Sequence, residues 1–349
     1  MNFHFNLERR RLNDLTLAGR LTCTPILVSL SLFLASCANN VAQRASTGSD
    51  PSSERPIAAW LAPLDPTPRP FNGTQGSADY FELFIEGNSW PKAEAQIKVF
   101  KIYQQLIARG SEDSLRALFN YLRVHHVSLA IEFGAMTDTD NCGRGVEGFD
   151  GEALPNIARR IQSLGGNLVY LAMDEPLWYG KYYNGKNACH SSIDAISADV
   201  AKNIKSVRVV SPGIIVGDIE PVPQAQVPDW SSEILKWLTA YKAATGENLA
   251  FFHADVIWQQ PWQPFVSSLA PNLRNAGIKL GVIINGTGDE AADQTWFTNT
   301  MEHCRQVKER FPQLDELIFQ SWTTFPTRVL PESAPATMTN LVTQCLGAS

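Results

Sequence analysis

The sequence is short of several things, and each shortage removes a class of protein. No apolar run approaches the roughly 20 residues that a membrane-crossing helix needs. The most apolar stretch, PILVSLSLFLA, covers only 25–35. No two cysteines stand at CxxC spacing, so a structural zinc site has no support. GxGxxG is missing after the first expected strand, which takes away the phosphate-binding turn of an open dinucleotide-binding sheet. Positive charge is in deficit: 29 Lys and Arg face 35 Asp and Glu, a formal charge of −6. Such an acidic chain is a poor ligand for nucleic acid or for anionic membrane surfaces. Internal repeats are absent, apart from the strand and helix alternation described below.

What is present begins with an export signal. Arg9, Arg10, Arg11 and Arg20 precede the apolar run, whose length suits the hydrophobic region of a secretory signal. The run ends in Leu34, Ala35, Ser36 and Cys37, a tetrad that resembles the lipobox of bacterial lipoproteins. The resemblance implies a signal over 1–36 and a lipidated Cys37 as the first mature residue. Acyl chains rather than a helix would then anchor the protein to the cell envelope, at the outer membrane. Ordinary signal cleavage with a free Cys37 is the plainer alternative. Losing four arginines against Glu8 and Asp14 makes the mature chain more acidic still. From 38 to about 78 the composition turns to Ser, Pro, Asn and Thr and reads as a flexible, disordered tether, so the folded domain is expected over 79–349.

Beyond Cys37 four cysteines remain, Cys142, Cys189, Cys304 and Cys345. An even number in an exported chain suggests two disulfides. The expected pairs are 142 with 189 and 304 with 345, because the strand layout puts the first two in neighbouring loops at one end.

Eight short apolar segments alternate with longer stretches of helical period. They are 80–87, 97–103, 127–135, 167–175, 214–220, 249–258, 279–286 and 316–324. Between them, apolar residues recur three or four apart, as in Leu115, Leu118, Phe119 and Leu122, or Ile196, Val200, Ile204 and Val207. Ser111 before Glu112 and Asp113 is a helix cap with an acidic first turn. Eight strand and helix units in about 270 residues predict an α/β fold, a (β/α)8 TIM barrel, rather than an open sheet.

In such barrels the chemistry sits at the carboxyl ends of the strands. Those ends supply Glu86, Lys101, Glu132, Asp174 with Glu175, Asp218 with Glu220, His253 with Asp255, Asn285, and Gln320 with Trp322. Acids at five of eight ends exceed what packing needs. Glu175 and Glu220 each precede a proline, which is expected to hold them extended at the last position of their strands. Neighbouring strands lie about 4.8 Å apart, so two such acids suit the roughly 5 Å gap of a retaining glycosidase, and Asp255 the wider inverting gap. Aromatic rings able to stack on sugar faces crowd the same ends: Trp178 after the fourth strand, Trp258 after the sixth, Trp322 after the eighth.

The Asp174-Glu175-Pro176 ending resembles the acid/base strand of clan A barrel glycoside hydrolases, and Trp322 their strand-eight tryptophan. The resemblance spans 79 to about 330 and implies a glycosidase acting on a poly- or oligosaccharide without an organic cofactor or a metal. One departure stands out. That clan's nucleophile is a Glu ending strand seven, where this chain has Asn285 and Gly286. The adjacent Asp-Glu pair is also similar to β-hexosaminidases, in which the Asp orients the substrate's acetamido group as internal nucleophile. Glu175 is therefore the expected acid/base, with its partner open among Glu220, Asp255 and Asp174. Glu86, Lys101, Glu132, Trp178, His253, Trp258, Asn285, Gln320 and Trp322 are the expected substrate contacts.

Blander readings accompany these. Lys101 and Glu132 suit a buried ion pair as well as a ligand contact, and His253 suits the orienting of a carboxylate. Two other functions compete with the glycosidase. Glu86, Glu132, His253 and Asp255 could hold a metal for a phosphodiesterase or deacetylase, and a dead barrel could bind carbohydrate through its rings alone. Neither nucleic acid nor a protein partner is expected.

Overall fold

The computed structural model describes residues 57–67, 74, 76–87 and 90–347. The signal, Cys37 and most of the tether fall outside them. Eight parallel strands close into a barrel in chain order: β1 Ala58–Ala62, β2 Ile97–Tyr103, β3 Ser128–Phe133, β4 Leu168–Asp174, β5 Ile215–Val222, β6 Phe251–Val256, β7 Lys279–Ile284 and β8 Glu316–Gln320. β1 completes the ring by pairing with both β2 and β8, so that Trp60 lies between Val99 and Ile318. This is the (β/α)8 architecture that the alternation predicts.

The first strand is not the expected one. Residues 80–87 form a 3-10 turn over Tyr80–Phe84, whose Tyr80 and Phe84 rings pack at 6.1 and 5.3 Å from Phe100. The first strand is instead AAWLA, inside the stretch whose composition reads as tether. It carries no β-branched residue and stands among prolines, so neither propensity nor alternation marks it. Burial decides the matter, since Ala59, Trp60, Leu61 and Ala62 are each at most 1% exposed. The barrel therefore begins at Ala58 and not at 79.

Around the sheet run α1 Pro91–Glu94, α2 Gln104–Arg109, α3 Glu112–Val124, α4 Leu154–Ser163, α5 Ile193–Arg208, α6 Trp230–Thr245, α7 Trp262–Ala276, α8 Asp293–Arg310 and α9 Met338–Gly347. The expected stripes face inward: Leu115, Leu118, Phe119 and Leu122 of α3 and Ile196, Val200, Ile204 and Val207 of α5 are buried. Burial of this kind, at roughly 25 cal/mol per Å², is what holds the helices to the sheet. Ser111 caps α3 by accepting the Ser114 N–H at 3.1 Å, which satisfies a donor the helix leaves open.

Alternation along each strand sets which side chains enter the barrel. Trp60, Val99, Ala130, Ala172, Ile219, Phe251, Ile283 and Ile318 form one interior cluster. Counting by twos from its members puts Lys101, Glu132, Asp174, His253, Asp255 and Gln320 on the inward face. By the same count Asp218 and Glu220 face outward, toward the helices. Gly217 illustrates how tightly the interior is filled, because a Cβ there would meet the Phe251 ring at 2.2 Å.

Both expected disulfides are present, Cys142–Cys189 and Cys304–Cys345, with Cα separations of 5.0 and 6.2 Å. The first ties the loop after β3 to the loop after β4, at the mouth. The second ties α8 to α9. Disulfides persist in oxidising surroundings, outside the cytosol. Among the described residues no helix is long and apolar enough to cross a membrane.

Candidate active site

The mouth is built around the end of β4. The strand stops at Asp174, and Glu175 takes φ +47° while its N–H still donates to Ile219 O at 3.1 Å. The extended Glu175 that its proline neighbour predicts is thus not found. Pro176 opens a helical turn at once, with the Tyr179 N–H donating to Glu175 O at 2.9 Å. Proline suits that first position, where a missing N–H costs nothing, so the bend out of the strand falls on Glu175. Left-handed backbone costs a non-glycine residue on the order of 1 kcal/mol. Strain held by its surroundings in this way recurs at functional sites. Because the strand has ended, Asp174 and Glu175 both reach the mouth, which strict alternation would forbid.

The second Glu-Pro ends differently. β5 continues through Pro221 to Val222, leaving Glu220 on the outward face and fully buried. Its two oxygens accept the N–H groups of Leu177 and Trp178 at 2.7 and 3.1 Å. Those are free donors at the start of the helical turn after Glu175, so Glu220 caps that turn. Asp218 likewise points away from the interior and accepts the Trp237 indole N–H at 2.7 Å. Burial first, and then the charge of Asp218, pushes Glu220 well above the usual carboxylate range. Sealed from solvent and committed to two backbone donors, Glu220 cannot touch a ligand.

Three of the four acids expected to be catalytic remain partly open at the mouth: Asp174, Glu175 and Asp255. Protein atoms crowd their carboxyls even so, and burial is the main cause that raises all three. Glu175 stands well above its ordinary value through burial, then Asp255, Asp174 and Glu147. Asp174 is raised by burial, then by Glu147 and Glu132, against the opposing charge of Lys101. Asp255 is pushed up to about 7 by burial and Glu132, while Lys101 and a hydrogen bond from Asn285 at 3.4 Å pull it down. Asp255 is level with Pro221 on the intervening strand, so β5 separates it from Glu175.

Beneath them lies a buried polar network. Lys101, 1% exposed, pairs with Glu132 and hydrogen-bonds Gln320, which donates back to Glu132 at 3.0 Å. The ion-pair reading of Lys101 and Glu132 is the one found, and Lys101 and Gln320 form a floor below the mouth. His253 lies deeper, fully buried, with Nε2 2.8 Å from Glu316 and its ring edge-on to Trp60. Contact between His253 and a substrate is thereby ruled out.

Glu86 is misplaced by the sequence reading altogether. Following a 3-10 turn instead of ending a strand, its carboxylate is 74% exposed and 3.4 Å from His125, at the far end of α3 from the mouth. Without Glu86, and with His253 given to Glu316, the metal set expected as an alternative comes apart. Among the described residues no three His, Cys, Asp or Glu side chains are grouped to hold a metal ion.

Of the rings, Trp322 is 40% exposed beside a shallow pocket of only about 10 Å³ that it shares with Asn285 and Ser321. Trp258 donates to Asn285 and stacks on His303 with centroids 3.8 Å apart. Trp178 is half-buried, edge-on to Trp230 at 6.4 Å. Trp237 of α6 and Trp296 of α8 are core.

Sequence reasoning misses one pair. Glu147, in the loop between β3 and α4, accepts the Tyr179 hydroxyl at 2.6 Å and bears on Asp174, Glu175 and Asp255 alike. No strand end announces Glu147. The one hint is that Cys142 and Cys189 bracket it and Tyr179, so the disulfide pairing brings their loops together. A larger cleft of about 220 Å³, beside Arg274, Arg310 and Phe311, opens at the opposite end of β7 and β8, away from the acids of the mouth.

No family model matches the chain, and no curated protein matches its sequence. Solved structures share its fold. Xylanase 10B from Thermotoga maritima superposes with a TM-score of 0.51 at 10% identity, over 84% of this chain and 95% of that one. A glucosidase from Croceicoccus marinus gives 0.48 at 12%, over 86% and 69%. An HpcH/HpaI aldolase from Desulfitobacterium hafniense gives 0.38 at 11%, over 77% and 87%. At 10% identity the xylanase match shows a shared fold and nothing more.

Proposed function

We propose that this chain is an exported glycoside hydrolase, anchored to the bacterial cell envelope through a lipidated Cys37, that cleaves a poly- or oligosaccharide. The observation that carries the reading is Glu175: a strained, raised carboxyl at a partly open barrel mouth, with two further acids facing it. Glycosidic cleavage needs one carboxyl that keeps its proton near neutrality and a second that gives its proton up first. Burial raises both Glu175 and Asp255, Asp255 to about 7, and in this reading Asp255 is the one that gives its proton up. In this reading Glu175 protonates the departing oxygen while Asp255 draws a proton from water. Because β5 stands between their strands, this reading takes a water to lie between the two carboxyls, the inverting arrangement. Asp174 orients the sugar, and Trp322 offers its exposed face as a platform. A barrel shared with a xylanase agrees with this reading.

Incubation with a panel of envelope and extracellular polysaccharides, assayed for new reducing ends, tests it. Glu175→Gln should abolish release, by about a thousandfold or more, while leaving the thermal transition nearly in place. Full activity in that variant removes the proposal.

A further inference from the structure

We infer that Asn285 is a positioning residue for Asp255: its amide, locked in one orientation by the Trp258 indole, donates to the Asp255 carboxyl and readies it to take up its charge. The inference rests on the hydrolase reading, in which Asp255 draws the proton from water. Ile283 of β7 pairs with Asp255 across the sheet and belongs to the interior cluster. Residue 285, two further on, keeps that inward parity and comes up beside the acid. Asn285 is 2% exposed, too enclosed to be the sugar contact that the sequence suggests. An Asn side chain accepts at one end and donates at the other, so the end that faces a carboxyl decides whether it favours the charge. Here the choice is forced. The Trp258 indole can only donate, and its N–H is bonded to Asn285 Oδ1. The amide nitrogen is the end left for Asp255, 3.4 Å from its Oδ1. Hydrogen bonds of this kind are often long in the free enzyme and tighten in the reacting complex.

Further contacts hold the indole where it is. Trp258 lies flat on His303, with centroids 3.8 Å apart and planes 4° from parallel, and edge-on to Trp262 at 5.2 Å. His303 is pinned in turn. Its Nδ1 is 2.8 Å from the Asn285 carbonyl oxygen, which can only accept, so that nitrogen carries the proton. The ring from His303 through Trp258 to Asn285 therefore closes on itself and leaves one donor directed at Asp255. The charged groups that bear on Asp255 come from other elements: Lys101 on β2, Glu132 on β3, Glu147 on the following loop, and Asp174 and Glu175 at the end of β4. His253, two residues below on the same strand, is committed to Glu316. All of the mouth groups but Lys101 are acids that work against ionisation, whereas a donor favours the charged form.

The test reads the titration of Asp255 first without turnover and then with it. Unfolding free energy of the full chain would be measured against pH for wild type, Trp258→Phe and Asn285→Leu, each with and without Asp255→Asn. The gain from Asp255→Asn grows as pH rises and levels off where the folded carboxyl has ionised, about 7 in the wild type. That levelling point should move up by about one pH unit in both variants. Trp258→Phe keeps a ring on His303 and loses the N–H, so it carries the test should Asn285→Leu fail to fold. On a polysaccharide that the wild type hydrolyses, the acidic limb of kcat/KM should move up by the same amount while KM stays within about twofold. A levelling point that stays in place in both variants overturns the inference. A raised KM with the acidic limb unmoved overturns it too, since the pair would then be sugar contacts. Should the levelling point move while no glycan of the panel is cut, the hold of Asn285 on Asp255 stands and the hydrolase reading falls.

Discussion

Glu175 and Glu220 stand on adjacent strands, each follows an acid by one or two residues, and each precedes a proline. In the folded chain they have opposite fates. β4 ends one residue before its glutamate, so the backbone turns left-handed there and the carboxyl comes to the partly open mouth. β5 runs two residues past its own, so Glu220 keeps the outward parity of Asp218 and is sealed against the turn that Glu175 begins. The local motif is shared, and the length of the strand around it decides between chemistry and capping. The two are also coupled, since Glu220 fixes the N–H groups of the very turn that forces Glu175 out of the sheet.

The comparison can be broken by exchanging the loss of one glutamate for the other. Glu220→Gln leaves one oxygen for two backbone donors and turns an amide N–H₂ toward the second. It should cost about 2 kcal/mol of stability, read from denaturant unfolding, while hydrolysis per folded molecule stays within about tenfold of wild type. Glu175→Gln should do the reverse. Loss of hydrolysis in Glu220→Gln with stability unchanged would transfer the acid role to Glu220.

A finer contrast concerns pH. The carboxyl of Asp255 has an ordinary value of 3.8 and is raised to about 7 in the fold. Its neutral form is therefore the one the fold favours, and the stability it contributes is complete below about 4 and is lost as pH rises through 7. Asn cannot titrate. Asp255→Asn should match the wild type in unfolding free energy near pH 4 and exceed it near pH 8.5, by roughly 4 kcal/mol at most, even as hydrolysis falls. A variant no more stable than wild type at pH 8.5 would show that Asp255 is not held in a raised state.

Much of this was legible in the sequence, for reasons that particular elements make plain. β2 has the expected bounds, 97–103, because IKVFKIY is rich in residues that suit a pleated strand and is bounded by helix formers. Ser111 caps α3 because its hydroxyl competes for a donor that only a helix start leaves free. Both disulfides follow from the strand order. β1 escaped because AAWLA is identified by what it packs against, and Trp60 meets Phe251, Tyr170 and His253, residues more than a hundred positions away. Its absence from the count was hidden by the 3-10 turn at Tyr80, whose apolar spacing imitates a strand, and Glu86 was misplaced with it. The inward and outward fates of Asp255 and Glu220 needed only parity, but parity needs the strand's end, and the end of β4 is fixed by a backbone turn at Glu175 that its proline neighbour argues against. Glu147 depends on the close approach of Gly148 to the end of β4 and has no local signature.

The claim that Glu175 gives its proton to the departing oxygen is tested most directly by varying how much the leaving group needs that proton. On a glycan the turned-over enzyme accepts, hydrolysis by wild type and Glu175→Gln would be measured across a series of aryl glycosides of falling leaving-group basicity. The account predicts a deficit of about a thousandfold for the sugar leaving group that closes toward wild type as the phenol becomes more acidic. A deficit that is the same across the series, or none at all, would contradict it.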